Sequence, residues 1–311
     1  MTTAYFSHPD CRRHDMGAGH PECPQRLTAI DDWLLATGID LALTRVEAEK
    51  VDLADVERAH THGYVAEIGD LLRGCESSGE SRAVDPDTVA CPHTWAATLR
   101  AAGAAVQATE MVLNGEAENA FCAVRPPGHH ATRDQSMGFC FFNNVAVAAR
   151  YALDVRGLQR VAIVDFDVHH GNGTEDIIAG DDRVLMVSIF QHPLYPYNGA
   201  TPKGENMVNV PVPAYTKGAE IRSMIEAMWM PALEEFKPEM IFISAGFDAH
   251  REDDLGQLGL VESDYEWMTL RIKDVAARHS QGRIVSCLEG GYNLDALARS
   301  VGVHLRVLAG I

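Results

Sequence analysis

Short runs of apolar, mostly β-branched residues recur along the chain and alternate with longer stretches of helical spacing. Val161–Val164, Val184–Ile189 and Ile241–Ile243 are continuous runs, Ile284–Leu288 is weaker, and Ala120–Val124 has the same character. Apolar runs without alternation are what parallel strands covered on both faces require. Between them, Thr94–Leu113 is Ala-rich and closes at Asn114-Gly115, a C-cap signal. Ala219–Phe236 carries Ile221, Ile225, Met228 and Trp229 on one stripe, and Pro231 must kink or divide it. Asp264–Arg278 and Leu294–Leu308 follow the same pattern, and their Met and aromatic positions read as core. Strand–helix alternation predicts an α/β fold with one parallel sheet and helices on both faces. In such sheets ligands bind beyond the carboxyl ends of the strands, so chemistry is expected just after each apolar run.

The chain has 311 residues, and its richest Gly/Ser stretch, Gly74–Ser81, is loop-sized rather than a linker. No repeat or low-complexity segment divides it, so a single domain over 1–311 is expected. A hydrophobic share of 46% supports a large core. The net charge of −18 disfavours nucleic acid, and suits either simple solubility or a cationic substrate. The seven cysteines include no CxxC pair, which fits free thiols in a reducing compartment. Met1–Asp10 lacks the features of a signal peptide and no apolar run is long enough for a bilayer, so a cytoplasmic protein without membrane contact is expected.

The residues after the apolar runs are polar and framed by glycine. They are Arg125-Pro-Pro-Gly-His129-His130, Asp165-Phe-Asp167-Val-His169-His170-Gly-Asn172, Ser244-Ala-Gly-Phe-Asp248-Ala-His250 and Glu289-Gly-Gly-Tyr292. In an extended chain Asp165, Asp167 and His169 share a side, and Asp248 would arrive from a neighbouring strand. An Asp–His–Asp set supplies three ligands and leaves a position open, the pattern of catalytic rather than structural zinc. Strand-end Asp and His residues also serve in turn hydrogen bonds, and a lone DxH would read that way. The irregular Pro126-Pro127-Gly128 segment lets both His129 and His130 aim into one cleft. Two imidazoles beside a metal provide a base and an acid, or one group for both tasks with an electrostatic partner. Tyr292 after two glycines could offer its hydroxyl to a developing oxyanion.

RPPGHH, GFCFFNN (Gly138–Asn144), DFDVHHGNGTED, SAGFDAH and EGGYN together resemble the histone deacetylase family, which includes acetylpolyamine amidohydrolases and acetoin-utilisation-type proteins. The likeness runs from about His20 to Tyr292. It implies an arginase-like three-layer α/β fold, zinc (or ferrous iron) held by Asp167, His169 and Asp248, and hydrolysis of an acyl amide. It implies that His129 pairs with Asp165, that His130 is the general base and acid, and that Tyr292 polarises the acyl carbonyl. Many members carry Asp where Asn172 partners the second histidine. Asn there, with His20-Pro21-Glu22 and Arg26-Leu27, resembles the class II branch, and a neutral partner should leave His130 less basic.

The same likeness implies a narrow substrate tube with Gly138, Phe139 and Tyr195 as walls, Asp87 at the rim, and Arg26 lining an inner cavity for released acetate. Asp87 and Arg26 also read as an ordinary turn residue and a surface helix residue. Leu255 stands where polyamine-selective relatives carry Glu, which favours acyl-lysine over a small acylated polyamine. A monovalent cation, K+, is implied at Asp165, the main chain of Asp167, His169 and Ile189, and the Ser188 side chain. Cys11, His20, Cys23 and Cys91 match no compact second zinc motif. Cys140 lies beside the tube and is expected to react with oxidants where its thiolate is accessible. An arginase-type ureohydrolase would need extra carboxylates that Ser244–His250 lacks, and a non-catalytic scaffold is opposed by the intact Tyr292 and histidines. Homo-oligomerisation is left open.

Overall fold

The structure is a computed structural model describing residues 2–311. Its strands are, in chain order, β1 (Thr3–Ser7), β2 (Leu43–Glu47), β3 (Arg82–Ala83), β4 (Val89–Ala90), β5 (Asn119–Cys122), β6 (Val161–Asp165), β7 (Val184–Gln191), β8 (Met207–Val212), β9 (Met240–Ala245) and β10 (Ile284–Leu288). Eight of them form one sheet in the order β2-β1-β5-β10-β9-β6-β7-β8, and every pairing in it is parallel. β3 and β4 form a small antiparallel pair. The expected layered α/β architecture is therefore present.

The inner strands β5, β10, β9, β6 and β7 are buried at every position, as their continuous apolar runs require. The two edges differ. β2 is half-exposed, and β8 carries an exposed Pro211, which only an edge strand tolerates because it has no N–H for the ladder. β1, β2 and β8 lack the signature of a long apolar run, which is why the pattern does not predict them.

The helices modify the expectation in two places. The Gly74–Ser81 stretch is not wholly loop, because the helix His62–Ser78 runs through its first half and stops at Gly79 in the left-handed conformation. Around Pro231 the stretch is divided by a change of helix type rather than by a break in the helical path. Gly218–Met224 passes into a π-turn at Ile225–Trp229 and on into Met230–Phe236, with the Met230 N–H donating to the Ile225 carbonyl. The wider turn accommodates a residue that has no N–H to give.

A buried ion network ties the N-terminal segment to the sheet. Arg125, just beyond β5, binds the Glu22 carboxylate through Nε and Nη2, and its Nη1 donates to the carbonyls of Cys11 and His14 at 2.8 Å each. Arg26 also contacts Glu22, and its Nε donates to the Gly291 carbonyl at 2.6 Å. All three side chains are fully buried. Burial opposes ionisation of Glu22, but Arg125, His14 and Arg26 outweigh it and hold the carboxyl down at about 2.

Replacing Glu22 by Ala leaves two guanidiniums unpaired in the interior and is expected to destabilise the fold by about 3–5 kcal/mol, read from urea unfolding midpoints. In the wild type a depressed folded pKa stabilises the protein above the unfolded carboxylate value. That contribution should fade as pH falls from about 4.5 to about 2, and the Glu22→Ala protein should lack this part of the acid dependence.

Candidate metal centre and cleft

The central strands end level with one another. Cys122 is in register with Cys287, Cys287 with Ser244, Ser244 with Asp165, and Asp165 with Ser188. The polar residues that follow therefore converge. Asp165 is the last residue of β6, so Asp167 and His169 lie in the loop rather than on one side of an extended strand. The loop turns through side-chain bonds: the Asp167 N–H donates to Asp165 Oδ1 at 3.1 Å and the His169 N–H to Asp167 Oδ1 at 2.9 Å.

Asp167, His169 and Asp248 bring one ligand atom each within 4.8 Å of one another, the one such grouping of His, Cys, Asp or Glu among the described residues. His169 Nδ1 lies 3.1 Å from Asp167 Oδ1 and 3.0 Å from Asp248 Oδ2. The remaining carboxylate oxygens accept backbone N–H groups, Val168 to Asp248 Oδ1 at 2.9 Å and Gly290 to Asp167 Oδ2 at 2.8 Å. Burial and the Asp167 charge push Asp248 up to about 7. Two buried carboxylates facing one imidazole call for positive charge between them, and this oxygen–nitrogen donor set fits a divalent ion. Close backbone approach makes room for it. A Cβ on Gly290 would lie 2.0 Å from Asp248 Oδ2, and one on Gly246 2.0 Å from Asp167 Oδ2.

The two histidines stand side by side with ring centroids 4.0 Å apart, but their partners differ. His129 Nδ1 is 3.0 Å from Asp165 Oδ2, whereas His130 Nδ1 is 2.8 Å from Asn172 Oδ1. Burial alone would lower both. For His129 the charges of Asp167 and Asp165 outweigh it and raise the imidazole to about 10. For His130 burial and the positive neighbours His129 and His169 prevail, and it is held well below its ordinary value. Adjacent groups driven apart in this way favour a charged and a neutral imidazole.

Beyond them opens a cavity of about 240 Å³ lined by Asp87, His130, Gly138, Phe139, His169, Leu194, Tyr195, Tyr197, Leu255 and Tyr292. Phe139 meets Tyr292 edge-on at 5.9 Å, and Tyr195 meets His130 at 5.2 Å. Burial raises the Tyr292 phenol well above its ordinary value. Asp253 Oδ2 accepts the Tyr292 and Asn293 N–H groups at 2.6 and 2.9 Å and so fixes the tyrosine's backbone. Arg26 does not line this cavity. It is buried behind Tyr292 with its guanidinium 4.9 Å from the ring centroid, and is not a surface helix residue. Ser188 is buried in β7 opposite Asp165 with its hydroxyl unpartnered, and Ile189 follows it.

The reading of Cys140 changes. Cys140 is fully buried, its thiol donates to the Gly138 carbonyl at 3.3 Å, and burial drives its pKa well up, so no accessible thiolate stands beside the cleft. Cys91 lies 3.9 Å from His14 Nδ1, and Cys11, His20, Cys23 and Cys91 form no metal cluster among the described residues. Residues that the sequence did not single out as functional also matter. Glu289 accepts the Gly128 and His129 N–H groups at 2.7 and 3.1 Å and so holds the histidine loop. An acidic residue directly after an apolar run was the available signal. Asp253, Leu194 and Tyr197 offered none.

The profile of the histone deacetylase domain matches residues 20–308. A "Probable deacetylase" of Archaeoglobus fulgidus is 38% identical over 303 residues, covering 95% of this chain and 82% of the relative. A "Histone deacetylase-like amidohydrolase" of Pseudomonas aeruginosa is 37% identical over 284 residues, covering 89% and 73%. The crystal structure of the HDA15 HD domain superposes with a TM-score of 0.92 at 32% identity, covering 99% of this chain and 88% of that one.

Gly290→Ala forces a methyl group onto the Asp248 and Asp167 carboxylates. It is expected to weaken the binding of a divalent ion, probed with added zinc, by about tenfold or more, the scale on which disturbed ligand support acts. Competition against a chromogenic chelator measures this, with circular dichroism as the control for folding.

Proposed function

The chain belongs to the histone deacetylase family, a family of amide-bond hydrolases, and from that premise we propose that it is a zinc-dependent deacylase of acylated alkylamines, acyl-lysine foremost. The observation that carries this reading is the convergence of Asp167, His169, Asp248, His130 and Tyr292 at the floor of one aromatic-walled cleft. Asp167, His169 and Asp248 would hold the ion, which when bound supplies Lewis acidity and a lowered pKa for water.

The chain's own groups supply the rest. His130, kept neutral, donates its Nδ1 proton to Asn172 and leaves Nε2 free to accept a proton from the attacking water and pass it to the leaving amine. His129, protonated against Asp165, adds fixed positive charge beside the reacting atoms. Tyr292 remains a phenol and donates a hydrogen bond where the acyl oxygen gains charge. Phe139 and Tyr195 enclose the methylenes, Gly138 allows close approach, and Asp87 at the exposed end accepts from the substrate backbone. Arg26, behind Tyr292, would receive a released carboxylate on that side. The apolar Leu255 supports acyl-lysine over an acylated polyamine carrying a distant ammonium. The orphaned Ser188 hydroxyl opposite Asp165 supports a monovalent cation there, with the main chain of Asp167, His169 and Ile189.

The test is hydrolysis of acetyl-lysine peptides, trifluoroacetyl-lysine and N-acetylputrescine, with metal content measured in parallel. Lysine substrates should be cleaved, chelation should abolish turnover, and zinc should restore it. Tyr292→Phe should lower kcat by about 10²–10³, the scale for one lost oxyanion donor. Preference for acetylputrescine would overturn the acyl-lysine assignment, and silence of the zinc-loaded protein on every amide would overturn the deacylase reading.

Asp87→Ala should raise KM for peptides by about tenfold, the worth of one hydrogen bond to a charged acceptor, with kcat little changed. The base works only when neutral, and His130 is depressed, so activity rises with pH through a limb lying below about 6.5 in kcat/KM.

A further inference from the structure

Asn172 presents a chemical ambiguity to the histidine beside it. Its carboxamide has an acceptor oxygen and a donor NH2 of nearly equal size, and a half-turn exchanges them. The carboxamide is buried between two neighbours: Oδ1 lies 2.8 Å from His130 Nδ1, and Nδ2 lies 3.4 Å from the sulfur of Met137. A thioether accepts hydrogen bonds and donates none. The sulfur can therefore partner only the amide NH2, and an amide oxygen facing it would be left without a donor, so the oxygen turns toward His130. An oxygen there requires the imidazole proton on Nδ1 and leaves Nε2 unprotonated. The opposite amide orientation sets oxygen against sulfur, with no proton between them, and NH2 against Nδ1. The imidazole proton would then sit on Nε2, where it blocks proton acceptance.

Met137 is held in place for this contact. Its backbone exchanges two hydrogen bonds with Cys140, Met137 N–H to the Cys140 carbonyl at 3.2 Å and the reverse at 3.0 Å. The next residue, Gly138, lies so close to the His130 ring that a Cβ there would sit 2.5 Å from Cδ2. One tight turn thus fixes the ring's face and brings sulfur to the amide that orients its proton.

We propose that Met137 is a positioning residue: its thioether sets the orientation of the Asn172 amide and, through it, the tautomer of His130. The inference rests on His130 being the base of the reaction, but the tautomer itself is observable without turnover.

The test combines nitrogen-15 histidine NMR on the zinc-loaded protein with a double-mutant cycle. In the wild type His130 should show a protonated Nδ1 and an unprotonated Nε2. Met137→Leu keeps the apolar volume and removes the acceptor. It should introduce a second His130 population protonated at Nε2 and lower kcat about threefold to tenfold, the scale of one weak hydrogen bond, with KM nearly unchanged. In an Asn172→Asp background the same change should alter kcat by less than about twofold, because a carboxylate offers oxygen in both orientations. Equal losses in the two backgrounds, or an unshifted tautomer in Met137→Leu, would overturn the proposal. So would a wild-type His130 protonated at Nε2, a result that needs no variant to fold. The expected tautomer shift in a protein that hydrolyses no amide would support the positioning role and overturn the deacylase reading instead.

Discussion

Four carboxylates, Asp165, Asp167, Asp248 and Glu289, lie at the carboxyl edge of the sheet, each no more than 1% exposed. So much buried negative charge is tolerable only where every oxygen is matched. Much of the local design follows from that requirement. Backbone N–H groups of Asp167, Val168, Gly128, His129 and Gly290 point inward to meet the carboxylates. Glycines stand where the chain must come within contact distance of an oxygen, and the carboxylates around His129 push its pKa up. The charge of Asp167 and Asp248, which both face the His169 imidazole, is concentrated at the grouping that could hold a divalent ion.

The neighbouring histidines show how little separates one chemical role from another. They are consecutive in sequence, share one loop and lie in ring contact. Carboxylates around one raise it, while burial and positive neighbours lower the other, whose carboxamide partner brings no charge to oppose them. The sheet register is what delivers those two partners, since Asp165 closes β6 and Asn172 opens the helix Asn172–Ile178 a few residues later.

Much of this was legible in the chain. Continuous apolar runs identified the inner strands because burial on both faces removes the polar alternation, and the rule that ligands gather at strand ends led directly to the histidine pair, the Asp and His trio and Tyr292. The gaps have physical reasons. β1, β2 and β8 are short, half-exposed or interrupted by Pro211, so they lack the buried-strand signature. The π-turn at Ile225–Trp229 depends on local backbone adjustment that residue spacing does not encode. For Arg26 the chain left an inner-cavity residue and a surface helix residue both open, because its partners are carbonyls beyond β10, which no local pattern reveals. The support from Asp253 and the sulfur contact of Met137 are likewise products of tertiary proximity.

The ion-pair network and the candidate metal ligands share a further property, their separation along the chain. Glu22 meets Arg125 across 103 residues, His169 meets Asp248 across 79, and Gly290 meets Asp167 across 123. Closing loops of that length is entropically costly in an unfolded chain and slow relative to local contacts. Nothing resembling the trio can therefore assemble in a nascent or denatured polypeptide, unlike a compact finger whose ligands are sequence neighbours. An ion held by the proposed trio would bind the native state alone, and its free concentration would then be a term in the folding equilibrium.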